Sequence, residues 1–212
     1  MPRFAANCLL CIVFLAAVAP GAHAEDAQDR LIVPGQRAGA ITRTTTPADL
    51  ARIYGAANLK RGKNDGPDDD VFEGIKVYPG TADEFRVLLT QDGRQISHLR
   101  FERQGGTWRT AEGIRVGLTV AELEHISGGP FRFYGFAWQY GGLVTLRDNP
   151  GTKLPKGLIV ALAPQKTPTP AEEEQVGGDK LIASGHPLLA KLDVRVGLII
   201  LNFRDRIWGR IN

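Results

Sequence analysis

Short segments in which apolar and polar residues alternate recur along this chain, and a period of two is typical of half-buried β-strands. In the first half the pattern predicts strands at residues 74–78, 84–90, 95–103 and 107–110. In the second half it predicts strands at residues 131–140, 143–148, 157–163 and 193–203. Tight, glycine-rich connections separate neighbouring strands, which favours antiparallel pairing. In segment 95–103 the alternation places His98 on the outward face, opposite Leu99 and Phe101.

Two segments of ten residues share a helical pattern, TPADLARIYG at 46–55 and TVAELEHISG at 119–128. Each begins with a threonine and carries an acidic residue three positions later, which is the pattern of a capping box. Apolar residues three apart give each segment one face to bury, and the final glycine is expected to end the helix in a left-handed conformation. A second pair of matching segments, GQRAG at 35–39 and GIRVG at 113–117, precedes them. We interpret these matches as an internal repeat; the alternative is a chance likeness between two capped helices.

These elements predict an α+β fold made of two tandem units, each a helix followed by an antiparallel sheet. The units cover residues 25–110 and 111–212, and they form either one compact domain or a pseudo-symmetric pair. Two segments without periodicity, 164–180 and 61–70, are predicted to be surface loops, the first of them mobile.

Residues 1–24 have the three parts of a secretory signal peptide. The basic Arg3 precedes the apolar run CLLCIVFLAAVA, and the triplet AHA at 22–24 matches the small-x-small cleavage rule. The mature chain is therefore expected to begin at Glu25 and to lie in the bacterial periplasm or outside the cell. Both cysteines of the chain fall within residues 1–24, so the mature chain is expected to form neither a disulfide nor a thiolate metal site.

The charges of this chain are nearly balanced, with 26 basic and 23 acidic residues and a net charge of +3. The basic residues are scattered along the sequence, whereas a nucleic-acid-binding protein shows a basic block or stripe. The longest apolar run after the signal peptide, residues 194–203, contains Arg195 and fits a strand better than a membrane span. We therefore expect neither a nucleic-acid partner nor a transmembrane segment.

The segment GGPFRFYGFAWQYGG, residues 128–142, concentrates six aromatic residues between glycines. We predict one strand over 131–140 with a bulge at Gly135, because the bulge brings five aromatic side chains to one face. Those five are Phe131, Phe133, Phe136, Trp138 and Tyr140. Aromatic residues in a strand usually bury large apolar areas, so this wall is predicted to belong to the core beneath the helix of residues 119–127. An open groove that stacks on a ligand and an active-site floor are the alternatives.

The histidines of the mature chain have no spacing to one another or to carboxylates that predicts a metal site, and no cofactor is expected. His98 is assigned to a strand, His125 to the exposed face of a helix and His186 to a turn. Ser184 precedes His186 by two residues, but residues so close rarely place a serine oxygen against its own general base. No G-x-S-x-G elbow is present, so a turn before a strand is the preferred interpretation.

Acidic residues suggest two further kinds of site. The cluster within residues 65–70 lacks the spacing of a calcium-binding loop and is predicted to be a solvated loop. A pair of carboxylates could support glycoside hydrolysis, but the sequence does not place any two at the required separation. The candidates for such a pair are Glu102, Glu112, Glu122 and Glu124.

Four residues are candidates for a binding surface, because two recur in the repeat and two are amphipathic aromatics near a strand end. These candidates are Arg37, Arg115, Trp138 and Tyr140. The alternative role of the two arginines is an ion pair with the acidic residue of the neighbouring capping box, Asp49 or Glu122.

The aromatic segment also carries a resemblance. The patterns G-G-P-F at 128–131, G-F-x-W-x-Y-G-G at 135–142 and G-x-R-x-G-x-T-x-x-E-L at 113–123 resemble a family of uncharacterised bacterial envelope proteins with signal peptides. The resemblance spans residues 33–147 and extends more loosely to 203, and it implies no activity. More distantly, the chain is similar to the helix-then-sheet modules of small outer-membrane assembly lipoproteins and of beta-lactamase inhibitor proteins. Those modules bind other proteins, so this likeness implies binding.

The sequence therefore predicts a soluble, non-catalytic periplasmic protein that binds an envelope protein or a small ligand through its sheet. One alternative is a periplasmic hydrolase that acts on glycans or peptides, which a deep pocket with two convergent carboxylates, or with His186 beside a serine and an acid, would favour. Another is a structural subunit of an envelope complex, which an exposed apolar sheet edge would favour.

Overall fold

The computed structural model describes residues 28–65 and 71–203, so the predicted signal peptide lies outside the described residues. The first half contains β1 (Leu31–Val33), β2 (Arg37–Ala38), β3 (Ile41–Thr42), α1 (Asp49–Tyr54), β4 (Leu59–Asp65), β5 (Val71–Val77), β6 (Phe85–Leu89), β7 (Ile96–Phe101) and β8 (Arg109–Thr110). The second half contains α2 (Val120–Ser127), β9 (Arg132–Tyr134), β10 (Leu143–Val144), β11 (Leu158–Ala163), α3 (Pro170–Val176), β12 (Leu181–Ala183), α4 (Pro187–Lys191) and β13 (Arg195–Asn202). This mixture of helices and mainly antiparallel sheets confirms the predicted α+β class. In the described ranges no helix has both the length and the apolar character needed to cross a bilayer.

A seven-stranded antiparallel sheet in the order β10-β11-β13-β7-β6-β5-β4 forms the centre of the fold. Strand β13 from the second half pairs directly with β7 from the first, with Ile199 opposite Phe101 and Leu201 opposite Leu99. The two halves of the chain thus share one continuous sheet. Two smaller sheets flank it, β3-β2-β1-β8 and β12-β9. The division of the chain into two units at residue 110 stays a prediction.

One face of the large sheet carries most of the hydrophobic core. Phe85, Val87 and Leu89 of β6 are all buried, as the alternation predicts. Phe85 stacks on Phe101 of β7 with ring centroids 5.5 Å apart, and Trp108 contacts both rings at 4.8 and 5.1 Å. Such aromatic packing buries large apolar areas and contributes beyond area burial alone.

The second face of the sheet is also buried over β11, β13 and β7, which corrects the prediction that His98 points outward to solvent. His98 is only 4% exposed, and its cross-strand neighbours Leu88 and Asn202 are buried as well. A separate apolar cluster lies on the same side, formed by Leu143, Ile159, Ala161 and Ile200 with Tyr134, Tyr140 and Leu198 packed against it. Alternation identifies the face on which a residue lies, but it does not show whether that face is covered.

The predicted capping box forms fully in α2. Thr119 accepts a hydrogen bond from the Glu122 backbone N–H at 3.2 Å, and the Glu122 carboxylate accepts one from the Thr119 backbone N–H at 2.7 Å. Gly128 ends this helix in the left-handed conformation, with φ 87° and ψ 14°. Both predicted signals at the ends of α2 are therefore confirmed.

The first copy of the repeat keeps only half of that cap. The Asp49 carboxylate accepts hydrogen bonds from the Thr46 backbone N–H at 3.0 Å and from the Thr46 hydroxyl at 2.7 Å. The helix begins at Asp49 itself, however, so Thr46 is not its N-cap. Gly55 has a positive φ of 82°, but its ψ of 135° is extended rather than left-handed. The predicted left-handed end is therefore wrong for α1.

The glycines of the GQRAG and GIRVG segments share one backbone conformation. Gly35, Gly39, Gly113 and Gly117 all have positive φ, between 50° and 93°. The second glycine of each segment donates its N–H to a strand carbonyl, Gly39 to β1 at 3.0 Å and Gly117 to β13 at 2.8 Å. This conformation strongly favours glycine, which explains why both copies carry it at the same two positions.

Both predicted loops contain regular structure. Segment 164–180 holds α3, which begins at Pro170 because a capping box is formed there and proline suits the first turn. In segment 61–70, residues 61–65 belong to β4, which pairs with β5 from Leu59 opposite Val77 to Asp65 opposite Val71. The rest of the predicted acidic loop, residues 66–70, lies outside the described residues.

Candidate functional site

The aromatic segment forms a short strand and then a loop, instead of the predicted continuous strand over 131–140. Strand β9 ends at Tyr134, and residues 135–142 form a glycine-rich turn that we call the aromatic loop. A Cβ atom on Gly135 would lie 2.7 Å from the Gly178 carbonyl oxygen, so only glycine lets the loop approach α3 this closely. Gly142 has φ 79° and touches the backbone of Leu162, which again requires glycine. Close backbone approach, which the alternating pattern does not encode, ends the strand.

Backbone hydrogen bonds hold the aromatic loop against two neighbouring elements. The Phe136 N–H donates to the Val176 carbonyl at the end of α3 at 2.8 Å, and the Gly178 N–H donates to the Phe136 carbonyl at 2.8 Å. On the other side, the Leu162 N–H in β11 donates to the Gly142 carbonyl at 2.9 Å. The loop is thus fixed between α3 and β11, and its side chains are held in defined positions.

The aromatic residues divide into two groups. Three are buried in the core, as predicted: Phe131, Phe133 and Phe136. Three are half-buried at the surface: Tyr134, Trp138 and Tyr140. Trp138 makes edge-on contacts with both tyrosines, with ring centroids 5.6 Å from Tyr134 and 5.3 Å from Tyr140. The segment therefore supplies the core with one group and the surface with the other.

The polar atom of Trp138 is used inside the loop. Its indole N–H donates to the Gly135 carbonyl at 2.9 Å, so the part of the ring that faces solvent is apolar. The preceding residue, Ala137, has a φ of 60°, a left-handed conformation that costs a residue other than glycine about 1–2 kcal/mol. Strained backbone of this kind is concentrated at binding and active sites.

An apolar groove of about 320 Å³ opens beside Trp138, between the aromatic loop, the end of β11 and α3. Its apolar walls come from Phe136, Trp138, Leu162, Pro164, Pro168 and Val176. Ligand pockets usually measure about 300–1,000 Å³. The groove therefore has room for one or two side chains of a partner and not for a large ligand.

Glu173 is the one charged residue among the described residues that line the groove. It is exposed, and within the described part of the chain it forms no ion pair. Its neighbour Glu172 faces the protein, where its carboxylate accepts from the Thr169 N–H at 2.8 Å and pairs with Lys191 of α4 at 2.5 Å. Hydrogen bonds from Lys191 and Thr169 lower the pKa of Glu172 to about 2. Helix α3 thus turns the Glu172 carboxylate inward as a structural anchor, while the next residue, Glu173, is exposed and lines the groove.

The structure brings together two of the four predicted binding residues. Trp138 lines the groove. Tyr140 packs against Trp138 and against the apolar cluster around Ile200 on the second face of the sheet. Arg115 is exposed in the turn before α2, and Arg37 lies in β2, so neither arginine lines the groove. Arg37 pairs with Asp29 at 2.6 Å rather than with the capping-box residue Asp49.

A second cleft, of about 420 Å³, lies between α2 and α4 and contains Ser184 and His186. The Ser184 hydroxyl is buried and accepts a hydrogen bond from the Phe131 N–H at 3.0 Å. His186 is the N-cap of α4, where its Nδ1 accepts from the Leu188 N–H at 3.3 Å. Within the described residues no hydrogen bond joins Ser184 to His186, and both side chains hold backbone in place instead of forming a nucleophile and its base.

Two of the four candidate carboxylates, Glu102 and Glu122, have structural partners. The other two, Glu112 and Glu124, form no ion pair within the described residues, and Glu124 lines the second cleft together with Asp193. Glu102 pairs with Arg100 at 2.5 Å and with Arg86 at 3.4 Å, and Glu122 caps α2. Among residues 28–65 and 71–203, no group of three or more histidine, cysteine, aspartate or glutamate residues is arranged to hold a metal ion.

Sequence reasoning identified Trp138 and Tyr140 but missed the walls of the groove. Pro164, Pro168 and Glu173 all fall in the segment predicted to be a mobile loop. The signal that could have identified α3 is the run TPAEEE at 169–174, which has threonine, proline and glutamate at the positions of a capping box. No family model, curated protein or solved structure matches this chain, so the motif-based resemblances stay predictions.

Proposed function

We propose that this protein is a non-catalytic binding protein of the bacterial periplasm that holds an apolar segment of a partner protein in the groove beside Trp138. One observation carries the proposal: Trp138 has its only polar atom bonded inside its own loop and lines an open groove with apolar walls. A half-exposed tryptophan in such a position gains free energy when a partner covers it, because apolar surface leaves water. Tryptophan is also among the residues that dominate protein interfaces.

The way the groove is built supports binding with little reorganisation. Both ends of the aromatic loop are hydrogen-bonded, to α3 and to β11, and α3 is itself anchored by Glu172 and Lys191. A partner that enters a preformed groove does not have to order these elements, so less of the interaction energy is lost. The groove lies at the end of β11 and beside α3, so binding takes place at the margin of the sheet.

Hydrolase activity has weaker support. The serine and histidine that share the second cleft are occupied by backbone hydrogen bonds. Of the candidate carboxylates, Glu102 is held by an ion pair and Glu122 by a helix cap. Glu124 lines the cleft, but within the described residues no hydrogen bond joins it to His186. The periplasmic location rests on the signal-peptide pattern of residues 1–24, and it makes another envelope protein the natural source of the bound segment.

The test is selection of displayed random twelve-residue peptides on the mature chain, residues 25–212, followed by affinity measurement with the purified peptides. We expect Trp138→Ala to lower the affinity for the selected peptides at least tenfold. Leu181→Ala removes an exposed apolar side chain outside the groove and should leave affinity unchanged. Pro168→Arg obstructs the groove without altering the loop, so it keeps the test valid if Trp138→Ala fails to fold. Peptides that bind all of these variants equally would refute the proposal.

A further inference from the structure

We propose that the groove selects partner segments that present a cationic side chain, an arginine or a lysine, beside an apolar residue. This inference rests on the proposed function and adds the chemical class of the bound segment to it. It follows from three features of the groove: a carboxylate that forms no ion pair within the described residues, an aromatic ring and a lack of free side-chain hydrogen-bond donors.

The carboxylate is that of Glu173. It is the only charge among the described lining residues, and no cation of the described chain pairs with it. Covering this carboxylate with an apolar partner segment would remove it from water without compensation, which is costly. A cationic side chain on the partner removes that cost and adds an attraction that strengthens as water is excluded. The charge of the groove is therefore complementary to a cation.

The aromatic contribution comes from Trp138, which lines the groove and is half-buried, whereas the neighbouring Phe136 is buried. A guanidinium or ammonium group placed over an aromatic face is attracted by the ring electrons, and tryptophan is the strongest such partner. The aliphatic stem of arginine or lysine would at the same time cover the apolar walls. One long cationic side chain thus satisfies both the charge and the apolar surface.

Elsewhere in this chain a cation lies beside both aromatic rings and a carboxylate. The Arg30 guanidinium lies 5.3 Å from the ring centre of Trp108 and 5.5 Å from that of Tyr78, and it pairs with the Asp83 carboxylate at 2.6 Å. The groove is likewise lined by a tryptophan and a glutamate, and none of its described lining residues is a cation. The partner would supply the missing group.

The groove is poorly suited to anionic or carbonyl-rich ligands. Pro164 and Pro168 have no backbone N–H, and the indole N–H of Trp138 is bonded to Gly135. No other side chain among the described lining residues can donate a hydrogen bond, apart from a protonated Glu173. A ligand rich in acceptors would therefore find no free side-chain donor among the described lining residues, and an acceptor buried without a partner is unfavourable.

The experiment compares the tightest arginine- or lysine-containing peptide from the selection with its uncharged twin, in which citrulline replaces arginine or acetyl-lysine replaces lysine. We expect selected peptides to be enriched in arginine and lysine next to apolar residues, and the charged peptide to bind at least fivefold more tightly than its twin. Glu173→Gln should bring that ratio to about one. Glu174→Gln removes the same charge from the same helix outside the groove and should leave the ratio unchanged.

The outcomes separate this inference from the proposed function. Peptides without enrichment in cations, bound in a manner that depends on Trp138, would overturn the inference and leave the proposed function standing. An equal effect of Glu173→Gln and Glu174→Gln would also overturn it, because general surface charge would then explain the preference. Free choline is a small cation without a peptide backbone. If it bound as tightly as the peptide and this binding depended on Glu173, the assignment of the ligand as a peptide would be overturned. Failure of every peptide to depend on Trp138 would refute the proposed function itself.

Discussion

Trp138 donates its indole N–H to the carbonyl oxygen of Gly135, three residues earlier in the same loop, at 2.9 Å. This bond links two residues of the same loop and leaves the ring as an apolar surface beside the groove. Gly135 in turn can approach α3 only because it lacks a side chain. The position of the candidate binding residue therefore depends on a glycine that does not itself line the groove.

Replacing Gly135 with alanine should destabilise the protein. The new Cβ atom would lie 2.7 Å from the Gly178 carbonyl oxygen and 2.8 Å from that of Val176, and backbone cannot move aside cheaply. We expect a loss of about 1–3 kcal/mol in the free energy of unfolding, measured by urea denaturation. Gly185→Ala is the matched control, because a Cβ there meets no atom within 4 Å. Equal stability of the two variants would contradict the close approach described for Gly135.

Replacing Ala137 with glycine should stabilise the protein. The left-handed φ of 60° costs alanine about 1–2 kcal/mol, whereas glycine adopts it freely and loses about 0.5–1 kcal/mol through greater freedom in the unfolded chain. A net gain of about 0.5–1 kcal/mol should appear as a higher midpoint of urea denaturation. Ala51→Gly, in the exposed part of α1, should have the opposite effect. A destabilised Ala137→Gly variant would show that residue 137 is not strained.

Acid should weaken the anchor of α3. The pKa of Glu172 is lowered to about 2 by the hydrogen bond from Lys191 and those from Thr169. Its contribution to stability is therefore complete above the ordinary value of 4.5 and is lost as pH falls toward 2. In urea denaturation between pH 6 and 2, the Glu172→Gln variant should lose less stability than the wild type. The Lys191→Met variant keeps the hydrogen bonds from Thr169 to Glu172. Its loss of stability on acidification should therefore lie between those of the wild type and of Glu172→Gln. If the free energy of unfolding depended on pH in the same way in all three proteins, the proposed anchor would be excluded.

His98 should remain neutral in the folded protein down to strongly acidic pH. Burial, with the nearby Arg100 charge, lowers the pKa of His98 from 6.5 to about 3. The unfolded chain binds a proton at this residue below pH 6.5 and the folded chain does not, so stability falls as pH decreases from 6.5 to about 3. Titration of the His98 ring by NMR should show no protonation above pH 5. A midpoint near 6.5 would mean that solvent reaches this side chain.

The sequence predicted the features that depend on local or alternating patterns. The buried positions of Phe85 and Val87 follow from alternation, and the capping box at Thr119 follows from residue spacing. The groove depends on contacts between distant segments, such as Phe136 with Val176, which no local pattern records. The burial of His98 likewise depends on what covers the second face of the sheet. The helix of α3 could have been predicted from its capping signature, but the surrounding prolines favoured a loop.

Binding of a partner segment in the groove beside Trp138 can be observed directly by following the Trp138 indole N–H signal in NMR while a selected peptide is added. We expect this signal to shift in proportion to occupancy and the signal of buried Trp108 to stay in place. We also expect Trp138→Ala to lower the affinity for the peptide at least tenfold. Saturable binding that leaves the Trp138 signal unchanged and is equally tight in Trp138→Ala would show that the peptide does not bind in this groove.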